Sequence, residues 1–154
     1  MRTTFLLAAL VLALAATPAH AQLHFSPMVG YDIDYEAFMV GLGFELGLTP
    51  GVLPLQGAIR PSVEYVFVDN ADLFRVNGDL IGRFSPPAAP VSPYAKAGVA
   101  IEFFSVDDCP VDDCSNTEVG INLGGGVLLN SFFVEGTLGL LDISDFRITA
   151  GYRF

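Results

Sequence analysis

Apolar and polar residues alternate with a period of two along most of this chain. The stretch FRITAGYRF, residues 146–154, shows the pattern at its plainest. Phe146, Ile148, Ala150, Tyr152 and Phe154 share one parity, and Arg147, Thr149, Gly151 and Arg153 share the other. Successive side chains of a strand point to opposite faces, so this is a strand with one apolar and one polar face. Turn signals divide the chain into eight such segments, at 25–33, 37–47, 58–68, 73–84, 93–104, 118–129, 132–141 and 145–154. In the second, Phe38, Val40, Leu42, Phe44 and Leu46 oppose Met39, Gly41, Gly43, Glu45 and Gly47. The first is the weakest, because Phe25 and Val29 lie off parity from Met28, and its register is left open.

Charge decides which face meets water. The basic residues beyond Arg2 are Arg60, Arg75, Arg83, Lys96, Arg147 and Arg153, and each falls on the polar parity of a strand. Glu45, Glu64, Asp79, Glu102 and Glu135 fall there too. The other acids are Asp32, Asp34, Glu36, Asp69, Asp72, Asp107, Asp108, Asp112, Asp113, Glu118, Asp142 and Asp145. They lie in or beside alternate connections, which share one end of an up-and-down sheet. The opposite end carries Pro50, Pro54, Pro86, Pro87, Pro90 and the Asn130-Ser131 turn, with almost no charge.

A barrel in water scatters charge over its outer wall. Here the apolar parity is uncharged and the polar parity holds both signs. That distribution predicts an eight-stranded antiparallel up-and-down transmembrane β-barrel, lipid outside, with a filled polar interior. Inward glycines such as Gly41, Gly43, Gly124 and Gly126 leave room for the long arginines. A symmetric turn over Thr49–Gln56 sets Glu45 across from Arg60, Glu64 diagonal to Arg75, and Asp79 near Lys96.

The remaining features refine this picture. Arg2, the apolar run Phe5–Ala16 and Ala19-His20-Ala21 read as a secretory signal peptide, residues 1–21, cleaved to leave a single domain at 22–154. The chain is 52% hydrophobic, yet beyond residue 21 no apolar run is long enough for a membrane-spanning helix. Cys109 and Cys114 sit close together in a polar stretch; in an exported protein they read as a local disulfide or as two free thiols. Around them, DDCPVDDCSNTE supplies Asp107, Asp108, Asp112, Asp113, Asn116 and Glu118. This is either a solvated acidic loop or an oxygen-rich site for a divalent cation such as calcium. Basic patches, P-loops and dinucleotide fingerprints are missing, so nucleic-acid and nucleotide roles have no support.

The signal peptide, PYAKAGVAIEF, VGINLGGGVLL, FVEGTLGL and the closing Tyr152-Arg153-Phe154 resemble the small outer-membrane β-barrel family of Gram-negative bacteria, the OmpA/OmpX-like group. The resemblance implies outer-membrane location, both chain ends periplasmic, and Tyr152 and Phe154 as the signal read by the barrel-insertion machinery. The chain has no Trp, so its aromatic belts must draw on Tyr31, Tyr35, Phe67, Phe103 and Phe104 at one end and Phe84, Tyr152 and Phe154 at the other. Hydrolytic and acyl-transferring barrels of similar architecture use a histidine. Here only His20 and His24 occur, and Ser62, Ser105 and Ser131 have no base assigned by spacing.

The function these features imply is non-enzymatic: an envelope or surface-interaction role, with divalent cations bridging acidic loops to lipopolysaccharide phosphates. The alternative is a narrow channel gated by the interior ion pairs. A soluble periplasmic ligand-binding barrel is a third reading. No surface partner or cofactor is named by the sequence.

Overall fold

The computed structural model describes residues 23–48, 56–84, 90–106, 115–143 and 146–154. Eight strands follow one another: β1 (Leu23–Asp32), β2 (Ala37–Gly47), β3 (Gln56–Val68), β4 (Ala71–Arg83), β5 (Val91–Val106), β6 (Ser115–Leu129), β7 (Phe132–Leu141) and β8 (Phe146–Tyr152). Each pairs with the next, and β8 returns to β1, so the sheet is a closed barrel without free edges. Every pairing is antiparallel.

All eight segments expected from the alternation are strands, and the parities hold along each. The first strand is now placed as well: Ser26, Met28 and Asp32 are buried in the lumen, while Phe25, Val29 and Tyr31 face out. Two tight turns place asparagine in the left-handed region, Asn70 at φ 59° and Asn130 at φ 56°. Asparagine tolerates that conformation better than other side chains with a Cβ.

Two faces of opposite chemistry result. Among the described residues, Asp72 at a strand end is the one charged side chain on the outer parity of a strand. Val40, Leu42, Ile59, Val63, Leu80, Val99, Ile121, Leu123, Val134, Leu138 and Ile148 cover the rest of the wall and are exposed. An exposed apolar wall of this extent is solvated by hydrocarbon rather than water.

Aromatic rings ring both ends of that wall. Tyr31 packs edge-on to Phe38, and Tyr65 to Phe67, toward the end carrying the acidic connections. Phe25, Phe44, Tyr152, Phe132 and Phe154 cluster toward the other. Two rings expected in the belt are elsewhere. Phe104 lies on the inward parity of β5, and Tyr35 stacks over it at 6.5 Å, so both pack on the interior at the acidic end.

Candidate functional site

Among the described residues, the lumen is where these strands gather charge of both signs. Six basic residues and six carboxylates meet there: Arg60, Arg75, Arg83, Lys96, Arg147 and Arg153 with Asp32, Glu45, Glu64, Asp79, Glu102 and Glu135. Asp32 was expected among the rim acids. It is instead fully buried, because it takes the inward parity of β1 directly opposite Arg147. With Asp32 inside, the buried charges balance.

The charges form three groups along the barrel. Toward the acidic end, Arg75 on β4 binds three carboxylates at once. Its Nη2 donates to Asp32 at 2.9 Å, Nη1 to Glu64 at 3.1 Å and Nε to Glu102 at 2.5 Å. Glu64 is directly opposite Arg75 in the ladder, not diagonal as the sequence suggested. Arg147 lies 3.7 Å from Glu64 and donates to Asn77 Oδ1.

At mid-height, Lys96 Nζ bridges Asp79 at 2.9 Å and Glu135 at 2.8 Å. Arg60 donates to Glu135 at 2.6 Å and Tyr94 O–H to the same carboxylate at 2.7 Å. Toward the uncharged end, Glu45 accepts from Arg83 and from Arg153, the latter at 3.1 Å. The ladder sets Glu45 across from Arg60 as expected, between the Gly43–Ser62 and Leu46–Ile59 pairs, but each takes a different ionic partner. Arg60 is long enough to cross the lumen to β7, where its guanidinium also lies over the Phe133 ring, 5.3 Å from the centroid.

Small residues make this filling fit. A Cβ on Gly43 would sit 3.0 Å from Met28 Cε and only in ordinary contact with the Arg60 stem, and one on Gly124 3.1 Å from Lys96 Cε. Gly41 makes room for Glu64 and Met28 rather than for an arginine.

Apolar side chains pack between and above the charges. Ala37, Met39, Val66 and Leu73 pack beneath Tyr35 and Phe104 at the acidic end. Met28, Ala58, Ile81, Tyr94, Leu128 and Phe133 form a second cluster beside Arg83, with Tyr94 directly opposite it in the ladder. The Tyr35 hydroxyl reaches Glu102 at 3.4 Å. Burial, with Glu102 and Glu118 adding their charge, pushes this phenol up to about 12.

The other candidates are distributed as follows. Asp107, Asp108, Asp112, Asp113, Cys109 and Cys114 lie outside the described residues. Glu118 is partly exposed at the mouth, where Asn116 donates to it at 2.7 Å. Tyr152 and Phe154 are in contact on the outer wall at the uncharged end. His24 Nδ1 is 2.8 Å from the Phe154 backbone oxygen. Ser62 Oγ accepts from Asn77 inside the barrel.

Sequence parity marked the inward residues but not the polar ties between them. Asn77 and Asn122 bond each other at 2.9 Å between β4 and β6, strands that are not neighbours. No spacing along the chain signals such a contact.

A closed eight-stranded barrel with an apolar wall, aromatic belts and a charge-filled lumen defines the class: this chain has the fold of the small outer-membrane β-barrels, the OmpA/OmpX-like architecture. Among solved structures it is similar to the N-terminal β-barrel domain of Pseudomonas aeruginosa OprF, at 18% identity over 88% of this chain and 100% of that one, with a TM-score of 0.63. It is also similar to Neisserial surface protein A, NspA, at 15% identity over 86% of this chain and 94% of that one, TM-score 0.55. The outer membrane enzyme PagL matches at 14% identity over 84% of this chain and 96% of that one, TM-score 0.51. At these identities the likeness is one of fold, and that fold carries both enzymes and non-enzymes. No protein-family model matches the sequence, and no curated protein does.

Proposed function

We propose that this chain is a non-enzymatic protein of the Gram-negative outer membrane that serves envelope structure or surface interaction. In this reading residues 1–21 are a cleaved signal peptide and 22–154 the barrel. The acidic connections face outward, and divalent cations join them to lipopolysaccharide phosphates. The lumen carries the argument: its charges are balanced inside, and two apolar clusters pack among them. Such a filling suits a static strut, since buried pairs hold one another in place.

Two further observations support it. His24, the one histidine beyond residue 21, is bonded to backbone at the end of β8, and no described serine is hydrogen-bonded to it. The connections at the acidic end, which carry Glu36, Asp69 and Asp142, contain no Lys or Arg, so an anionic leaflet beside them requires counter-ions.

The test is heat-dependent gel mobility of the refolded barrel, in EDTA and in calcium, with planar-bilayer recording beside it. A higher unfolding temperature in calcium together with silent bilayers is the expected result. Identical temperatures would remove the cation bridge. Discrete currents altered by Glu45→Gln would replace the strut with the alternative reading, a narrow channel. Its support is that ion pairs recur at three levels of the lumen.

A further inference from the structure

The uncharged end of the lumen holds an excess of positive charge around a small cavity. Arg60, Arg83 and Arg153 line it, with Ser26 and Tyr94 beside them and Glu45 as its one carboxylate. Glu45 is shared by Arg83 and Arg153, so one carboxylate answers two guanidiniums. Arg60 spends its Nη2 on Glu135, whose other oxygen is taken by Lys96.

Two donors here are left over. Arg60 Nε and Arg83 Nε are buried and have no hydrogen-bond partner. A buried cationic N–H without an acceptor is costlier than a neutral one, so such groups rarely stay empty-handed. The adjoining connections add no acid: residues 48–55 and 84–90 contain no Asp or Glu. The cavity itself offers about 10 Å³, room for roughly one water-sized particle.

From these observations we infer that the cavity is a binding site for a monatomic anion, chloride in particular. Arg60 Nε and Arg83 Nε donate to it, the excess guanidinium charge at this end holds it, and Glu45 limits its affinity. Water would satisfy the donors but not the charge. Chloride, a little larger than water, seats with a small shift of the long Arg60 and Arg83 side chains, whereas phosphate and sulfate would have to push the surrounding strands apart.

The experiment titrates the purified, refolded barrel with sodium chloride against sodium gluconate at constant ionic strength and follows the unfolding temperature. Binding to the folded state alone gives a rise that saturates with chloride. Sulfate and phosphate, which stabilise folded proteins generally by exclusion from the surface, give at the same ionic strength a rise that does not saturate. Glu45→Gln removes the competing carboxylate and lowers the half-saturating chloride about tenfold, as a unit charge several ångströms away should. Arg83→Gln abolishes the rise.

Bromide-soaked crystals of the unmodified protein provide the direct readout: an anomalous peak between Arg60 and Arg83. Equal unfolding temperatures in chloride and gluconate would overturn the inference. So would a sulfate response that saturates as the chloride response does, or a chloride response that Glu45→Gln leaves unchanged. If Arg83→Gln fails to fold, the bromide peak and the Glu45→Gln titration still decide.

Discussion

Arg75 is fully buried and gathers carboxylates from three strands, Asp32 on β1, Glu64 on β3 and Glu102 on β5. A guanidinium presents a fork of five N–H donors, and here three of its nitrogens each take a different acid. Lysine offers one point charge and could not reach all three. Arg75→Met should therefore lower stability by about 3–5 kcal/mol, the cost of leaving buried charges without their partner. Equilibrium unfolding in urea measures it, and a loss below about 1 kcal/mol would mean that the hub contributes little. Parity made Arg75 legible as an inward residue. Its partners were legible only in part: Glu64 follows from the β3–β4 hairpin, whereas Asp32 was mistaken for a loop acid at a strand end. Arg60 shows the same limit. Hairpin geometry names its ladder neighbours, but its acceptor Glu135 lies across the lumen, and only a closed barrel makes that distance short.

Strand lengths, read from alternation, were correct to within a few residues, and what alternation could not weigh is the strength of each seam. The β5–β6 ladder runs from Val91–Leu129 to Ser105–Ser115, while β1–β8 pairing covers only Met28–Gly151 to Asp32–Arg147. Pro27 comes next on β1 and has no N–H to donate. Below it, Phe154 N–H donates to Phe25 C=O at 2.9 Å. Local opening draws on the least-paired elements, so amide hydrogens of β8 and of the adjoining part of β1 should exchange before those of β5 and β6. Hydrogen exchange in lipid nanodiscs reads this directly. Uniform protection around the barrel would show that the surrounding lipid, rather than the ladder, sets the rate.

At the scale of the molecule, the wall is the feature that fixes the solvent. Val99 stands exposed near the middle of β5, 58% accessible, with Ile121 facing it on β6. Val99→Arg should cost about 2–4 kcal/mol in a bilayer, because a cation at that depth meets hydrocarbon. Val99→Leu is the control and should be close to neutral. Folding equilibria in lipid vesicles check both, and an arginine tolerated without loss would contradict a lipid-facing wall. This much was open to a reader of the sequence, since the outer parity holds no charge between the strand ends.

The order of charges in the lumen has one more consequence. Around Arg75 and Arg147 the three acids outnumber the bases, around Lys96 and Arg60 the signs cancel, and around Glu45 the two arginines are in excess. A neutral lumen so arranged is a permanent electric dipole lying along the barrel axis. A voltage across the membrane acts on its two ends in opposite directions, with about 2.3 kcal/mol at stake per elementary charge per 100 mV for a full crossing. One polarity presses the two charged ends toward each other and the reverse draws them apart, so the two signs of potential load the filling in opposite senses.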